Sequence, residues 1–255
     1  MIKPKKSLGQ HFLNDLGVAF DTANLKKEEV FDLVIEVGPG QGILTQELYK
    51  IYKERLLLVE KDDRCIPLLK ERFPKAHLLN ADFLRIDWNK VKGEKIMVIG
   101  NYPYNISSQI IFKSLEARNR VKAIVGMFQK ELAERLASPP GSKKYGVISV
   151  FFQAFYNVEL KFDVDPDKFV PPPKVWSSVI QASRNNITEL ACDEAAFRKL
   201  VKQAFQQRRK KLSNALKGLI LLHPEKEEIS SMSYFSKRAE ALSVDDFIKL
   251  TNLLL

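Results

Sequence analysis

Metal ligands and cross-links are scarce in this sequence. Its 255 residues include two cysteines, Cys65 and Cys192, and three histidines. No CxxC pair or His cluster has metal-ligand spacing, so no metal is expected, and two distant thiols cannot build a disulfide framework. Long apolar runs are missing too, since nothing approaches the roughly 18 residues of a membrane helix. The opening "MIKPKKSLGQHF" carries positive charge without the apolar stretch of a secretory signal. Repeats and low-complexity segments are also absent. These absences predict a reducing compartment, the cytoplasm, and no membrane association.

What is present is ordinary globular composition, 45% hydrophobic and 28% charged, long enough for one large domain and a small one. The formal charge of +10 points to a polyanionic partner. Divided near residue 183, both parts are basic, so the charge is not a detachable tail.

Short aliphatic runs alternate with helical patterns: "DLVIEVG" (32–38), "RLLLVE" (55–60), "HLLNAD" (77–82), "KIMVIGN" (95–101) and "KAIVGMF" (122–128). Such alternation predicts βαβ units and a parallel sheet buried on both faces. Two more apolar runs, "VISVFFQAFYNVEL" and "WSSVIQAS", flank the Pro-rich "DPDKFVPPPKV" and are expected as an antiparallel strand pair closing the sheet. Phe151, Phe152, Phe155 and Tyr156 read as core residues of that strand. Beyond "SRNNIT" the pattern is helical, and Ser243 with Asp246 has capping-box spacing. The expected fold is α/β: a Rossmann-like domain over 1–182, with 1–13 as a flexible N-terminal segment, and a small helical domain over 183–255.

"EVGPGQG" ends the first of these strands, with Gly38, Gly40 and Gly42 before a helix near Ile43. Glycine lets backbone approach a ligand closely, and a helix N-terminus favours anionic groups. Glu60 ends the second strand, placed for ribose hydroxyls. Asp82 ends the third, its carboxylate placed for an adenine edge and the Phe83 ring for the adenine face. Three successive strand ends fit the ligand crevice of a doubly wound sheet. NAD and S-adenosylmethionine share the adenosine half, so these residues alone leave both open.

The fourth strand ends in "NYPY", the D/N-x-P-Y form used by methyltransferases of exocyclic amino groups. An adenine N6 lone pair is delocalised into the ring. The Asn101 side-chain oxygen and the Tyr102 carbonyl can accept its hydrogens, Pro103 can fix the turn, and Tyr104 can stack on the extruded base. Positioning and electrostatics suffice, so a titrating base is not needed.

The chain resembles the small-subunit ribosomal RNA adenine dimethyltransferases of KsgA type over nearly its whole length. The resemblance rests on "KKSLGQHFL" (5–13), "IEVGPGQGILT" (35–45), "VEKD" (59–62), "NYPYNIS" (101–107), "FQKELAERL" (128–136), "KYGVISV" (144–150), "FVPPPKVWSSVI" (169–180) and "KRAEALS" (237–243). It implies a class I methyltransferase domain that uses S-adenosylmethionine to dimethylate N6 of two adjacent adenines. The implied substrate is a small-subunit rRNA hairpin near the 3′ end, in an immature small subunit, with the enzyme acting as a monomer. It also implies that His11 and Leu13 contact the cofactor beside Gly38, Glu60, Asp82 and Asn101. Three positions depart from the family's commoner residues: Tyr102 for Leu or Ile, His11 for Asn, and Trp176 for Asp.

For RNA, the run Arg208, Arg209, Lys210 and Lys211 is expected to meet phosphates from a helix, and Phe169 to cover the second face of the flipped adenine. A solvated helix surface is the plain alternative for the run. Rival functions are a large-subunit rRNA adenine methyltransferase, a ribosome-assembly factor without catalysis, and a NAD-dependent dehydrogenase. The last lacks a candidate proton donor and leaves "NYPY" unexplained.

Overall fold

The strands form where the apolar runs predict them. In this computed structural model, which describes residues 2–255, they are β1 (Phe12–Leu13), β2 (Leu33–Val37), β3 (Leu56–Glu60), β4 (His77–Asn80), β5 (Ile96–Asn101), β6 (Val121–Gln129), β7 (Tyr156–Val164), β8 (Phe169–Val170) and β9 (Ser177–Arg184). Seven of them make one sheet in the order β4-β3-β2-β5-β6-β9-β7, and β1 pairs with β8 apart from it. The first five strands of that order are parallel, and β9 lies antiparallel to β6. The chain turns from β2 outward to β3 and β4, then returns to lay β5 on the other side. This reversal opens a crevice at the C-terminal ends of β2 and β5.

Helices α1 (Leu16–Asn24), α2 (Ile43–Tyr52), α3 (Ile66–Arg72) and α4 (Ser107–Glu116) complete the first compact unit, which runs to Ala133 and takes up Asn157–Arg184. Leu44, Leu48, Leu69, Met97, Ile99, Val125 and Val179 belong to its core. Burial of both sheet faces explains why the central strands read as continuous apolar runs.

The second unit comprises Glu134–Tyr156 and Asn185–Leu255. The expected boundary at 182/183 therefore moves by two residues, to 184/185, and segment 134–156 clusters with the C-terminal helices. Across the two units, α5 (Lys130–Ala137) is followed by α6 (Val147–Gln153), α7 (Glu194–Gln206), α8 (Leu212–Ala215), α9 (Lys217–Leu222), α10 (Lys226–Ser231) and α11 (Val244–Leu254). The start of "VISVFFQAFYNVEL" is thus a helix, and only its second half is strand β7. A short apolar run buried on every side fits either state by periodicity. Here Ser149 Oγ decides for the helix, accepting from the Gly146 N–H (3.0 Å) and donating to the Arg135 carbonyl (2.5 Å). Phe151, Phe152, Phe155 and Tyr156 are buried as expected. The capping box at Ser243 and Asp246 forms at the start of α11. Among the described residues no helix is long and apolar enough to cross a membrane.

Candidate functional site

The crevice is lined by the glycine loop, the ends of β3 and β5, the turn after β4, and residues 7–13. Gly38, Gly40 and Gly42 have φ of 68, 56 and 81°. Two of them show why glycine is needed. A Cβ at Gly38 would meet nothing within 4 Å, which leaves room for a ligand against the backbone, whereas one at Gly40 would lie 2.8 Å from the Phe12 ring.

Glu60 is buried at the end of β3, where Oε2 accepts from the Gly40 N–H (2.8 Å) and Oε1 from the Asp62 N–H (2.7 Å). Each oxygen keeps a second lone pair for a ribose hydroxyl. Burial raises the Glu60 pKa above the ordinary carboxylate range despite these bonds. Asp82 Oδ1 accepts from Leu84 N–H (3.0 Å) and Oδ2 pairs with Lys61 Nζ at 2.9 Å. Burial opposes its ionisation, but the Lys61 ion pair and the Leu84 bond outweigh it and lower its pKa. Phe83 lines the crevice and meets Trp88 edge-on at 6.0 Å.

Glu36 was not singled out by sequence reasoning. It is 1% exposed, lines the crevice from β2, and its Oε2 has no hydrogen-bond partner among the described residues. Burial, with the neighbouring Glu60 charge, pushes its pKa up to about 8. A carboxyl inside the otherwise apolar "LVIEV" was the available signal, because such groups are rarely buried without a purpose.

Residues 5–14 are tied down, contrary to the expected flexible arm. Gln10 Nε2 and Lys5 Nζ reach Asp62 at 3.0 and 3.5 Å, and Arg64 binds both Asp62 oxygens (2.9 and 2.5 Å) and the Lys3 carbonyl (3.1 Å). The Arg64 guanidinium holds the Asp62 carboxyl far below the usual range. Phe12 pairs with Val170 and Leu13 with Phe169. His11 Nδ1 donates to the Pro171 carbonyl (2.7 Å), and its ring stacks on Tyr104 at 5.4 Å. Asp62 lay in the quoted "VEKD" run but carried no role there.

At the end of β5, Asn101 Nδ2 donates to the His11 carbonyl (2.9 Å), which fixes the amide. Neither Asn101 Oδ1 nor the Tyr102 carbonyl accepts a hydrogen bond among the described residues, so both acceptors are unengaged. The Tyr102 side chain turns into the core, its hydroxyl 2.8 Å from the Val125 carbonyl and 3.2 Å from that of Val98. Gly126 and Gly100 make room, since a Cβ at Gly126 would lie 2.6 Å from the Tyr102 ring and one at Gly100 would crowd it at 3.1 Å. The bulk of Tyr102 is therefore buried below the pocket wall. Pro103 starts the turn, with Ile106 N–H donating to its carbonyl (3.1 Å), and Tyr104 shares a 2.5 Å hydrogen bond with Ser177 Oγ.

Taken together, the crevice matches an adenosyl cofactor: open backbone at Gly38, a carboxylate at Glu60, an unpartnered buried oxygen at Glu36. The model of ribosomal RNA adenine dimethylases matches residues 1–254. The chain belongs to that family. Bacterial relatives support the assignment: ribosomal RNA small subunit methyltransferase A of Bacteroides thetaiotaomicron is 47% identical, covering 99% of this chain and 94% of its own. The protein of that name from Cytophaga hutchinsonii is also 47% identical, over 99% and 98%. Among solved structures, a dimethyladenosine transferase from Plasmodium falciparum aligns with a TM-score of 0.80 at 26% identity, covering 94% of this chain and 96% of its own. The 23S rRNA methyltransferase ErmE aligns at 0.73 and 25%, over 95% and 99%. As a ribosomal RNA adenine dimethylase, the protein is a methyltransferase that uses S-adenosylmethionine.

One expected RNA contact, Phe169, is corrected, and the basic run takes a different local structure from the expected helix. Phe169 is 1% exposed, packed in the core beside its β1 partner Leu13, and offers no open ring face to a base. The basic run is not helical, because α7 ends at Gln206 and a turn follows, closed by Lys210 N–H to the Gln207 carbonyl (2.8 Å). Arg208 is engaged within its own unit by Glu240 Oε2 (2.9 Å) and by the Tyr145 (3.0 Å) and Lys143 carbonyls. Arg209, Lys210 and Lys211 are exposed.

Proposed function

We propose that this methyltransferase dimethylates N6 of two adjacent adenines in a hairpin near the 3′ end of small-subunit rRNA. It acts as a monomer on an immature small subunit in the cytoplasm. The observation that carries the reading is the pair of unengaged acceptors, Asn101 Oδ1 and the Tyr102 carbonyl, beside the half-buried Tyr104 ring. The names of the relatives at 47% identity support the small subunit.

Gly38, Gly40, Glu60, Asp82 and Phe83 would hold the cofactor's adenosyl half, and His11 and Leu13, which line the same crevice, would contact it as well. When bound, it supplies a methyl group on a positively charged sulfur. Tyr104 stacks on the extruded base and places N6 toward that group. Asn101 Oδ1 and the Tyr102 carbonyl accept the two N6 hydrogens, drawing the nitrogen lone pair out of ring conjugation. Because Asn101 is held by its bond to His11, the acceptor needs no reorganisation when charge develops. Each transfer leaves one proton to be shed to solvent.

ErmE's likeness favours a second reading, a large-subunit adenine target. One experiment separates them: incubate the protein with labelled S-adenosylmethionine and isolated immature small or large subunits, then map the modified base. Label on paired adenines of the small subunit is expected. Label confined to the large subunit would replace this reading with the second.

A further inference from the structure

With Phe169 closed to a base, Trp176 is an exposed aromatic one residue from Ser177, the partner of the Tyr104 hydroxyl. Trp176 is 48% exposed, whereas the chain's other tryptophan, Trp88, is 8% exposed with its Nε1 donating to the Lys113 carbonyl (3.0 Å). The Trp176 backbone is fixed, since its carbonyl accepts from the Lys130 N–H (2.9 Å), continuing the ladder in which Ser177 pairs with Gln129. It therefore stands at the C-terminal end of β6, the sheet edge on which the crevice opens. The next residue, Ser177, holds the Tyr104 hydroxyl. Val170 and Val175 are also exposed, and Pro171, Pro172 and Pro173 stiffen the segment between them.

Holding an indole half in water in a preset place is useful to a ligand with a flat π-face. No hydrogen bond occupies the indole Nε1–H among the described residues, so a donor is free beside the ring. Lys174 adds a cation two positions away, in a chain of net charge +10. A few side chains make too small a patch for a stable protein interface. Unpaired nucleotides fit better, because they stack singly on aromatic rings and bring phosphates to nearby cations.

We propose that Trp176 is a stacking platform for an unpaired nucleotide flanking the target adenine, fixing the RNA on the rim of the pocket. This rests on the RNA-hairpin reading above.

The test uses the full chain with S-adenosylhomocysteine and a hairpin RNA carrying two adjacent adenines in its loop, followed by tryptophan emission and by direct binding. Wild-type emission should be quenched by RNA. Trp176→Phe, whose only tryptophan is Trp88, should keep most of its affinity with little quenching. Trp176→Asp, the family's commoner residue, and Trp176→Ala should lose roughly five- to a hundredfold in RNA affinity, with cofactor affinity unchanged. On small subunits the same two variants should raise KM for the subunit and spare kcat. Equal RNA affinity and equal KM in Trp176→Ala, or undiminished quenching in Trp176→Phe, would overturn the platform. If wild-type protein methylates no small subunit, it is the RNA reading that fails; if it does so with KM indifferent to Trp176, only the platform fails.

Discussion

The crevice and the basic turn at residues 207–211 are both rich in charge, yet their charged groups are held in opposite ways. In the crevice, Glu60 and Asp82 are gripped by main-chain N–H groups of Gly40, Asp62 and Leu84, so strand register sets their positions. In the turn, Arg208 is taken up by Glu240 and main-chain carbonyls, while Arg209, Lys210 and Lys211 stand in solvent. Fixed groups can stabilise a developing charge without reorganising. Solvated ones contribute collectively and give way to salt. Substitutions in the crevice should therefore have steep, specific effects, and those in the turn shallow, salt-dependent ones.

The largest effect is expected at Asn101. Asn101→Ala removes an acceptor held by its bond to His11, and methyl transfer should fall on the order of a hundredfold or more. Cofactor affinity should fall far less than methyl transfer, because Asp62 and the β1–β8 pairing still tie the N-terminal segment and Asn101 is only one of the crevice contacts. N6-methyladenine keeps one hydrogen for two acceptors, so monomethylated product should accumulate. Mass spectrometry of the rRNA reads this directly, and wild-type rates with full dimethylation would make "NYPY" a structural turn only. Tyr104→Phe keeps the ring but leaves Ser177 without its partner, a cost of about 1 kcal/mol.

Next comes the buried carboxyl of Glu36. Its folded pKa, about 8, lies above the ordinary value. Below the ordinary value both states carry the proton. Between there and 8 only the folded state does, so stability is lost as pH rises through this window. The loss between pH 5 and 8 should be on the order of 3 to 4 kcal/mol in cofactor-free protein, and Glu36→Gln should flatten it. Urea midpoints across that range test it. Parallel wild-type and variant curves would mean that Glu36 is already ionised.

Glu60→Ala deletes the ribose acceptor and orphans the Gly40 and Asp62 N–H groups. Calorimetry should show a loss of roughly 1.5 to 3 kcal/mol in S-adenosylmethionine binding, tenfold or more. Asp62→Asn, which loosens the Gln10, Lys5 and Arg64 ties, should weaken binding by less. An Asp62 effect as large as that of Glu60 would place the main hold on the cofactor in the N-terminal segment.

The crevice was legible because it follows from strand ends: Gly38, Glu60, Asp82 and Asn101 stand where alternating runs stop, and a parallel sheet gathers those ends. Helix α6 was not, since "VISVFF" is apolar on all sides and the deciding contact, Ser149 with Arg135, joins residues 14 apart. Phe169 looked available beside exposed prolines, but pairing with β1 buries it, and no local pattern reports a partner some 150 residues away. The fate of Arg208 depended likewise on Glu240. Glu36 was visible, as a carboxyl within an apolar strand. What failed was local reading of long-range contacts; the strand ends that the runs mark do gather around one crevice.

The smallest effects divide the basic run itself. Arg208→Ala removes a charge-assisted bond to Glu240 and leaves the Tyr145 and Lys143 carbonyls without their donor, at a site 41% exposed. Partial solvation trims the loss to about 1 kcal/mol, seen as a lower melting temperature with the salt slope of RNA binding unchanged. Arg209, Lys210 and Lys211 have no comparable anchoring, so replacing them with alanine should leave the melting temperature in place. If they meet phosphates, each lost contact should flatten the dependence of log affinity on log salt by about 0.7 to 0.9. Cofactor affinity should move in neither case. The contrast inverts if Arg208→Ala changes the slope while the triple variant does not. Arg208 would then leave Glu240 for phosphate on binding, and the exposed cations would return to a solvated surface.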